Sequence, residues 1–204
     1  MIKIGLTGGI CAGKTNILSI FREIGCYTIR ADEIAKSIIF SNKPGIVSEI
    51  IKIFGDSVSN KKNGIDKDAF TRMMFDDIEK RNLLNQFIHP LVAAERKNII
   101  QDLEKSNIYN FFVYESALLV ESGIAREFDI VIVVYTSEEE QINRIMTRDN
   151  LTQEEALKRI KAQFPLSEKL KVAHYAIDTS GTFEQSRSKT LETFHLIKKD
   201  FNLP

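Results

Sequence analysis

Gly8-Gly9-Ile10-Cys11-Ala12-Gly13-Lys14-Thr15 has the spacing G-x-x-x-x-G-K-[ST] of a phosphate-binding loop. Upstream, Ile2-Lys3-Ile4-Gly5-Leu6 reads as a short apolar strand. Downstream, 15–24 carries Ile17, Leu18, Ile20, Phe21 and Ile24 at helical spacing. Strand, glycine turn and helix in register are the context such a motif requires. The glycines let the backbone curl until successive N–H groups point inward at phosphate oxygens, and the helix N-terminus adds partial positive charge. Lys14 is expected to reach the β- and γ-phosphates of ATP, and the Thr15 hydroxyl to hold Mg²⁺. Gly8, Cys11, Ala12, Gly13 and Asn16 complete the expected nucleotide cradle.

Working outward, 26–29 reads as a second short strand and Asp32 opens another helical pattern with Ile34, Ala35, Ile38 and Ile39. The stretch 44–108 changes character. Ile46, Ile50, Ile51, Phe54, Phe70, Met73 and Met74 recur at threes and fours, interrupted by a polar turn at 60–64. His89-Pro90 is read as the start of a helix of about four turns, since Pro is tolerated at the first helical position. Strands return at 110–114 and 129–135, the second containing Ile130-Val131-Ile132-Val133-Val134. An unbroken apolar run suits a strand buried on both faces of a parallel sheet. Helical signals follow at 137–147, 152–163 and 167–172, then a strand at 175–178 and a helix over 182–199. The expected class is α/β, a P-loop NTPase-type three-layer sandwich with a mostly parallel sheet, a helical lobe and a lid. One domain is expected over 1–204, with its core at 1–40, 108–136 and 173–204, the lobe near 41–107 and the lid near 137–172.

Composition narrows the function classes. Lys+Arg and Asp+Glu each total 28 in 204 residues, so the basic excess that favours nucleic acid or anionic membrane surfaces is missing. No apolar run approaches the ~20 residues that span a bilayer. Two cysteines, Cys11 and Cys26, lack metal-ligand or disulfide spacing, and the N-terminus reads directly into a strand without a signal-peptide pattern. A soluble cytoplasmic protein is expected, a monomer acting on small molecules.

Several side chains are candidates for chemistry. Arg144 and Arg148 lie four apart, on one helical face, ahead of a turn and the Thr152-Gln153-Glu154-Glu155 capping box. They suit a mobile lid whose guanidinium groups neutralise a transferred phosphoryl group. They suit equally an exposed helix paired with Glu138, Glu139 and Glu140. Asp32 follows the second strand, where a carboxylate can accept the proton of an attacking hydroxyl. It is equally suited to a helix N-terminus. His89 suits an anionic acceptor or simple packing, and Glu115 ends an apolar strand where it can act on Mg²⁺ through water or hold substrate. A thiol at Cys11, beside Lys14 and a helix N-terminus, is expected to have a lowered pKa and to be alkylated unless ATP shields it.

Together these segments resemble the dephospho-CoA kinase family across nearly the whole chain. The similarity is carried by Gly5-Leu6-Thr7-Gly8-Gly9-Ile10 with Gly13-Lys14-Thr15, and by Ala31-Asp32-Glu33-Ile34-Ala35. It continues through His89-Pro90-Leu91-Val92, Leu118-Leu119-Val120-Glu121-Ser122-Gly123, Arg144 to Asp149, and Gln163-Phe164-Pro165-Leu166-Ser167-Glu168-Lys169. The resemblance implies transfer of the ATP γ-phosphoryl group to the ribose 3′-hydroxyl of dephospho-CoA, the last step of CoA synthesis. It implies Asp32 as general base, Lys14 on the phosphates, Arg144 and Arg148 in the lid, and the helical middle as acceptor lobe with His89, Glu115 and Leu118 near substrate. Arg30, Cys11-Ala12, Ala117, His174 and Thr179 depart from the family pattern, the last two on the adenine side. Another small-molecule kinase, acting on a nucleoside monophosphate or a shikimate-like alcohol, remains the nearest alternative. A GTPase-type switch lacks its markers, because Asp178-Thr179-Ser180-Gly181 comes too late and Asn60-Lys61-Lys62-Asn63 lacks the guanine-reading Asp.

Overall fold

The computed structural model describes residues 1–60 and 64–203. It divides into two compact units, Met1–Ile29 with Ser106–Pro204, and Arg30–Lys105.

The first unit is built on five parallel strands, β1 (Ile2–Gly8), β2 (Tyr27–Arg30), β3 (Phe111–Glu115), β4 (Ile130–Tyr135) and β5 (Tyr175–Asp178), in the order β2-β3-β1-β4-β5. The central pairings run from Ile2↔Phe111 to Leu6↔Glu115 and from Ile4↔Ile130 to Gly8↔Val134. Strand β4 is buried from Ile130 to Val134, as its unbroken apolar run requires. Alternation along β3 separates its two faces. Phe111 and Val113 join Ile17, Ile20 and Phe21 of α1 (Lys14–Glu23) and Ile197 of α9 (Phe183–Asp200) in one core. Phe112 and Tyr114 point the other way into an aromatic row, Tyr27–Phe112–Tyr114–Phe128, with successive rings stacked at 6.0, 6.5 and 5.6 Å. That face packs close to β1. A Cβ on Gly5 would lie 2.8 Å from Leu119 and 3.1 Å from Phe128.

The expected helices after β4 form as α6 (Glu138–Asp149), α7 (Gln153–Lys161) and α8 (Leu166–Leu170). Ser137 and Thr152 cap the first two, each accepting the N–H three residues on. Residues 137–172 cluster with the first unit. His174, one of the departures, extends the β4–β5 ladder. Its N–H donates to the Val131 carbonyl at 2.8 Å and its Nδ1 accepts the Val131 N–H at 3.0 Å.

The second unit contains α2 (Ala31–Ile39), α3 (Pro44–Phe54), a 3₁₀ turn at Asp56–Val58, α4 (Lys67–Asp76) and α5 (Ile78–Ser106). The sequence reading counted α2 with the core. It groups instead with the helices, because Ile34 and Ile39 are buried and the helix packs on α3. Phe70 meets Phe40 at 5.7 Å and Phe54 at 5.4 Å, edge to face. Of the polar turn at 60–64, residues 61–63 lie outside the described residues; Ser59 and Ile65 on its flanks form an antiparallel bridge.

Pro90 corrects the sequence reading. It does not start a helix but sits inside α5, a single helix of 29 residues. An interior proline removes a hydrogen bond and costs ~3 kcal/mol. Leu84, Ile88 and Val92 recur every four residues through the proline and are all buried. That stripe binds both halves to the same core, while Pro90 itself is exposed.

Close approach fixes one glycine. Gly8 has φ 150°, and a Cβ there would lie 2.0 Å from the Val134 carbonyl oxygen, whereas Gly45 in α3 has open space. Gly8→Ala is expected to lower stability by on the order of 3 kcal/mol, and Gly45→Ala to raise it by ~0.5–1 kcal/mol. Thermal denaturation of the two variants checks both signs.

Candidate active site

At the carboxyl end of β1 the chain turns through Gly9 to Gly13 into α1. Ala12 donates its N–H to the Gly9 carbonyl at 3.2 Å, closing the turn. Gly13, at φ 85°, is the N-cap, and its carbonyl accepts the N–H groups of Asn16 and Ile17 at 3.0 and 3.2 Å. Lys14 Nζ donates to the carbonyls of Gly8 at 3.1 Å and Gly9 at 2.8 Å, which holds the ammonium across the loop. Thr15 and Asn16 are exposed in the first turn of a ten-residue helix. The positive helix end and the Lys14 ammonium lie together there, an arrangement that favours a polyphosphate. One hydroxyl, Thr15 Oγ1, fits Mg²⁺, which takes few protein ligands and completes its shell with phosphate and water.

Cys11 is a correction. Burial pushes its thiol up, outweighing the pull of Arg148, Lys14 and Arg144, and Asp149 adds to the rise. The sequence reading counted Lys14 and the helix N-terminus and missed the desolvation. Cys11 also has φ 57°, a left-handed backbone angle that an L side chain adopts at a cost. Cys26, buried, is pushed up to about 12 by the same desolvation.

The loop is held from the far end of the chain. Thr179, buried just past β5, donates its hydroxyl to the Ala12 carbonyl at 2.8 Å, and its side chain would meet a Gly13 Cβ at 3.4 Å. Arg144 on α6 donates to the carbonyls of Cys11 at 3.4 Å and Thr179 at 2.9 Å, and pairs with Glu140 at 3.0 Å. A pocket of about 310 Å³ is lined by Cys11, Gly13, Asn16, Arg144, Thr179 and Ser186, among others. The paired-helix reading of the arginines is seen in the Arg144–Glu140 contact. Arg144 is salt-bridged on its helix and faces the loop, while Arg148 makes a fork to Asp149, both contacts at 2.8 Å. That fork holds the Asp149 carboxyl below its ordinary value. Arg159 on α7, not singled out from sequence, reaches the same carboxylate at 2.5 Å.

Other residues of the site also went unassigned. Gln141 Nε2 donates to the Ile10 carbonyl at 2.7 Å, and Gln163 Oε1 accepts the Ile10 N–H at 2.8 Å. Gln141 lies one helical turn before Arg144, a spacing that puts both on one face and was available in the sequence. Lys169 is 1% exposed, donating to the Ala117 carbonyl at 2.9 Å and pairing with Glu121 at 2.5 Å. The other Glu121 oxygen is buried without a hydrogen bond among the described residues. This pair fixes the turn after β3 that carries Leu118 and Leu119. Leu118 is exposed there, and Glu115 is buried at the end of β3, level with Leu6 of β1.

Asp32 and His89 belong to the second unit. Asp32 lies in the first turn of α2 with its side chain 75% exposed, and the Arg30 guanidinium stands 3.9 Å away. His89 is exposed on α5, one residue before Pro90. A second cavity of this unit, about 230 Å³, is lined by Ser37, Lys43, Ile46, Leu91, Glu95 and Asn98, among others.

Known proteins match along the chain. A model of the family described as Dephospho-CoA kinase matches residues 2–185. A dephospho-CoA kinase of Carboxydothermus hydrogenoformans is 38% identical over 188 residues, 92% of this chain and 90% of the relative. The solved dephospho-CoA kinase from Campylobacter jejuni is similar with a TM-score of 0.69, at 29% identity over 97% of each chain. A shikimate kinase from Acinetobacter baumannii bound to shikimate shares the fold, with a TM-score of 0.52 at 17% identity over 98% of this chain and 94% of the other.

Two measurements check the electrostatics and strain of the loop. Cys11→Gly is expected to raise stability by ~0.5–1 kcal/mol by removing the left-handed penalty. In the native protein, alkylation of Cys11 at neutral pH is expected to be slower than that of a free thiol, with its acceleration displaced to higher pH. Asp178, which positions the turn carrying Thr179, is held down to about 2 by hydrogen bonds from Ser180, with Lys189 adding to the effect. A carboxylate with a depressed folded value contributes stability above its unfolded value near ~4, and that contribution is lost as pH falls through the folded value. Thermal stability of Asp178→Asn is therefore expected to fall less steeply than that of the native protein between about pH 4 and pH 2.

Proposed function

The chain belongs to the dephospho-CoA kinase family, and on that premise we propose that it transfers the γ-phosphoryl group of ATP to the ribose 3′-hydroxyl of dephospho-CoA. The observation that carries the ATP half is Lys14 held across the loop carbonyls, with the Arg144 guanidinium against the same loop. Phosphoryl transfer asks little covalent chemistry of a protein. Positioning and neutralisation of charge supply most of the lowering of the barrier.

In this reading the loop N–H groups and Lys14 grip the β- and γ-phosphates. Thr15 would hold Mg²⁺, which when bound screens the charge between the two phosphates. Pocket residues Cys11, Gly13, Asn16, Arg144 and Thr179, together with Ala12 of the loop, take the rest of the nucleotide. Segment 137–172 acts as a lid, with Arg144 and Arg148 meeting the charge that develops on the transferred group. Its closure excludes water, a competing acceptor. Asp32, the match to the family's base, orients the 3′-hydroxyl and accepts its proton. Arg30 beside it, where the family pattern has an acid, offers an anionic acceptor a cation at that point. The helical unit takes the rest of dephospho-CoA, with His89, Glu115 and Leu118 near the acceptor.

Steady-state kinetics of two variants test the division of roles. Asp32→Asn is expected to lower turnover by ~10²–10⁴-fold with ATP affinity little changed. Lys14→Ala is expected to lose both. Wild-type turnover by Asp32→Asn would remove Asp32 from the proton transfer.

A further inference from the structure

The Ile10 peptide group inside the phosphate loop is gripped from both sides by side chains that the motif does not contain. Gln141 donates to its carbonyl at 2.7 Å, and Gln163 accepts from its N–H at 2.8 Å. The polarity of the two bonds is forced, because a backbone N–H can only donate and a carbonyl can only accept. Gly9 makes the approach possible, since a Cβ there would lie 2.3 Å from Gln141 Nε2. Both glutamines line a cleft of about 480 Å³ that reaches Gly9 and Ala12. Gln141 stands near the start of α6 and Gln163 just past the end of α7, so the two ends of the segment carrying Arg144, Arg148 and Arg159 meet on one peptide. Rotation of that peptide would re-aim its neighbours, whose N–H groups are the ones a phosphate loop turns toward its ligand.

We propose that Gln141 and Gln163 are positioning residues for phosphoryl transfer, a two-ended amide clamp that sets the phosphate loop in register with the arginine-bearing segment. The clamp rests on the nucleotide reading given above. It places Gln163, which faces the Ile10 N–H, as the acceptor end and Gln141, which faces the Ile10 carbonyl, as the donor end.

Two glutamate variants test this. Gln163→Glu keeps an oxygen to accept the Ile10 N–H. Gln141→Glu presents only acceptors to the Ile10 carbonyl at neutral pH and loses its bond. Both add the same negative charge beside the same peptide, so the difference between them reports hydrogen-bond polarity. Gln141→Glu is expected to turn over about tenfold more slowly than Gln163→Glu, with the KM for the acceptor equal in the two. Equal rates, or a slower Gln163→Glu, would overturn the clamp. Amide exchange at Ile10 supplies a readout that needs neither nucleotide nor acceptor, at a temperature where all variants are folded. Protection is expected in the native protein, Gln163→Glu and Gln141→Glu, and loss of protection in Gln163→Leu; unchanged protection in Gln163→Leu would also overturn it. Turnover of the native protein with dephospho-CoA reports on the reaction itself, so the clamp and the reaction fail separately.

Discussion

The phosphate loop cannot hold its shape alone, and the hydrogen bonds that hold it come from residues more than a hundred positions away. Thr179 reaches Ala12, Arg144 reaches Cys11, and Gln141 and Gln163 take the two ends of the Ile10 peptide. Three of these bonds go to loop carbonyls, and Gln163 alone takes a loop N–H, that of Ile10. The parallel sheet makes this possible. With all five strands running the same way, their carboxyl ends, and the segments that follow β1, β4 and β5, lie along one edge. The 2.0 Å separation that a Gly8 side chain would have from the Val134 carbonyl measures how tightly β1 and β4 must approach before the loop departs.

Charge in the first unit is arranged by depth. Lys169 and Glu121, nearly buried, tie the turn after β3 to α8, and breaking such a pair leaves an uncompensated ion, at a cost of ~3–5 kcal/mol. Arg148, Arg159 and Asp149 are more open, and two guanidinium groups sharing one carboxylate leave that cluster with a positive charge in excess. Exposed pairs of this kind contribute ~0–1 kcal/mol to folding, so stability alone is a poor reason for the cluster. It suits a segment whose cations serve an anionic ligand.

What could be read from the residues was whatever physics makes local. The loop announces itself because left-handed and closely approached positions demand glycine at fixed offsets. Strand β4 does so because burial on both faces demands an unbroken apolar run. The order of elements follows from these, and the family resemblance follows from the order of the motifs. Long-range effects were not legible. Cys11 looked activated because Lys14 and a helix N-terminus are close to it in sequence, while the burial that raises its thiol depends on the folded chain. Pro90 looked like a helix start because the stripe Leu84–Ile88–Val92 that carries α5 through it is a tertiary fact. Thr179 was legible only as a departure from the family pattern on the adenine side, and the bond its hydroxyl supplies to the loop was not. Gln141 and Gln163 carry no signature of their own, because an amide that grips a backbone peptide is chosen by geometry. The exposure of Asp32 on α2 leaves its carboxylate open to a substrate, as its proposed role requires.

The proposed reaction comes down to one event, passage of the terminal phosphoryl group of ATP to a ribose hydroxyl. The most direct measurement is incubation with γ-labelled ATP, Mg²⁺ and dephospho-CoA, followed by phosphorus NMR of the purified product. The account predicts label in a new 3′-phosphomonoester of the acceptor, in amounts equal to the ADP formed. Label recovered only as inorganic phosphate, or on another position of the acceptor, would contradict it.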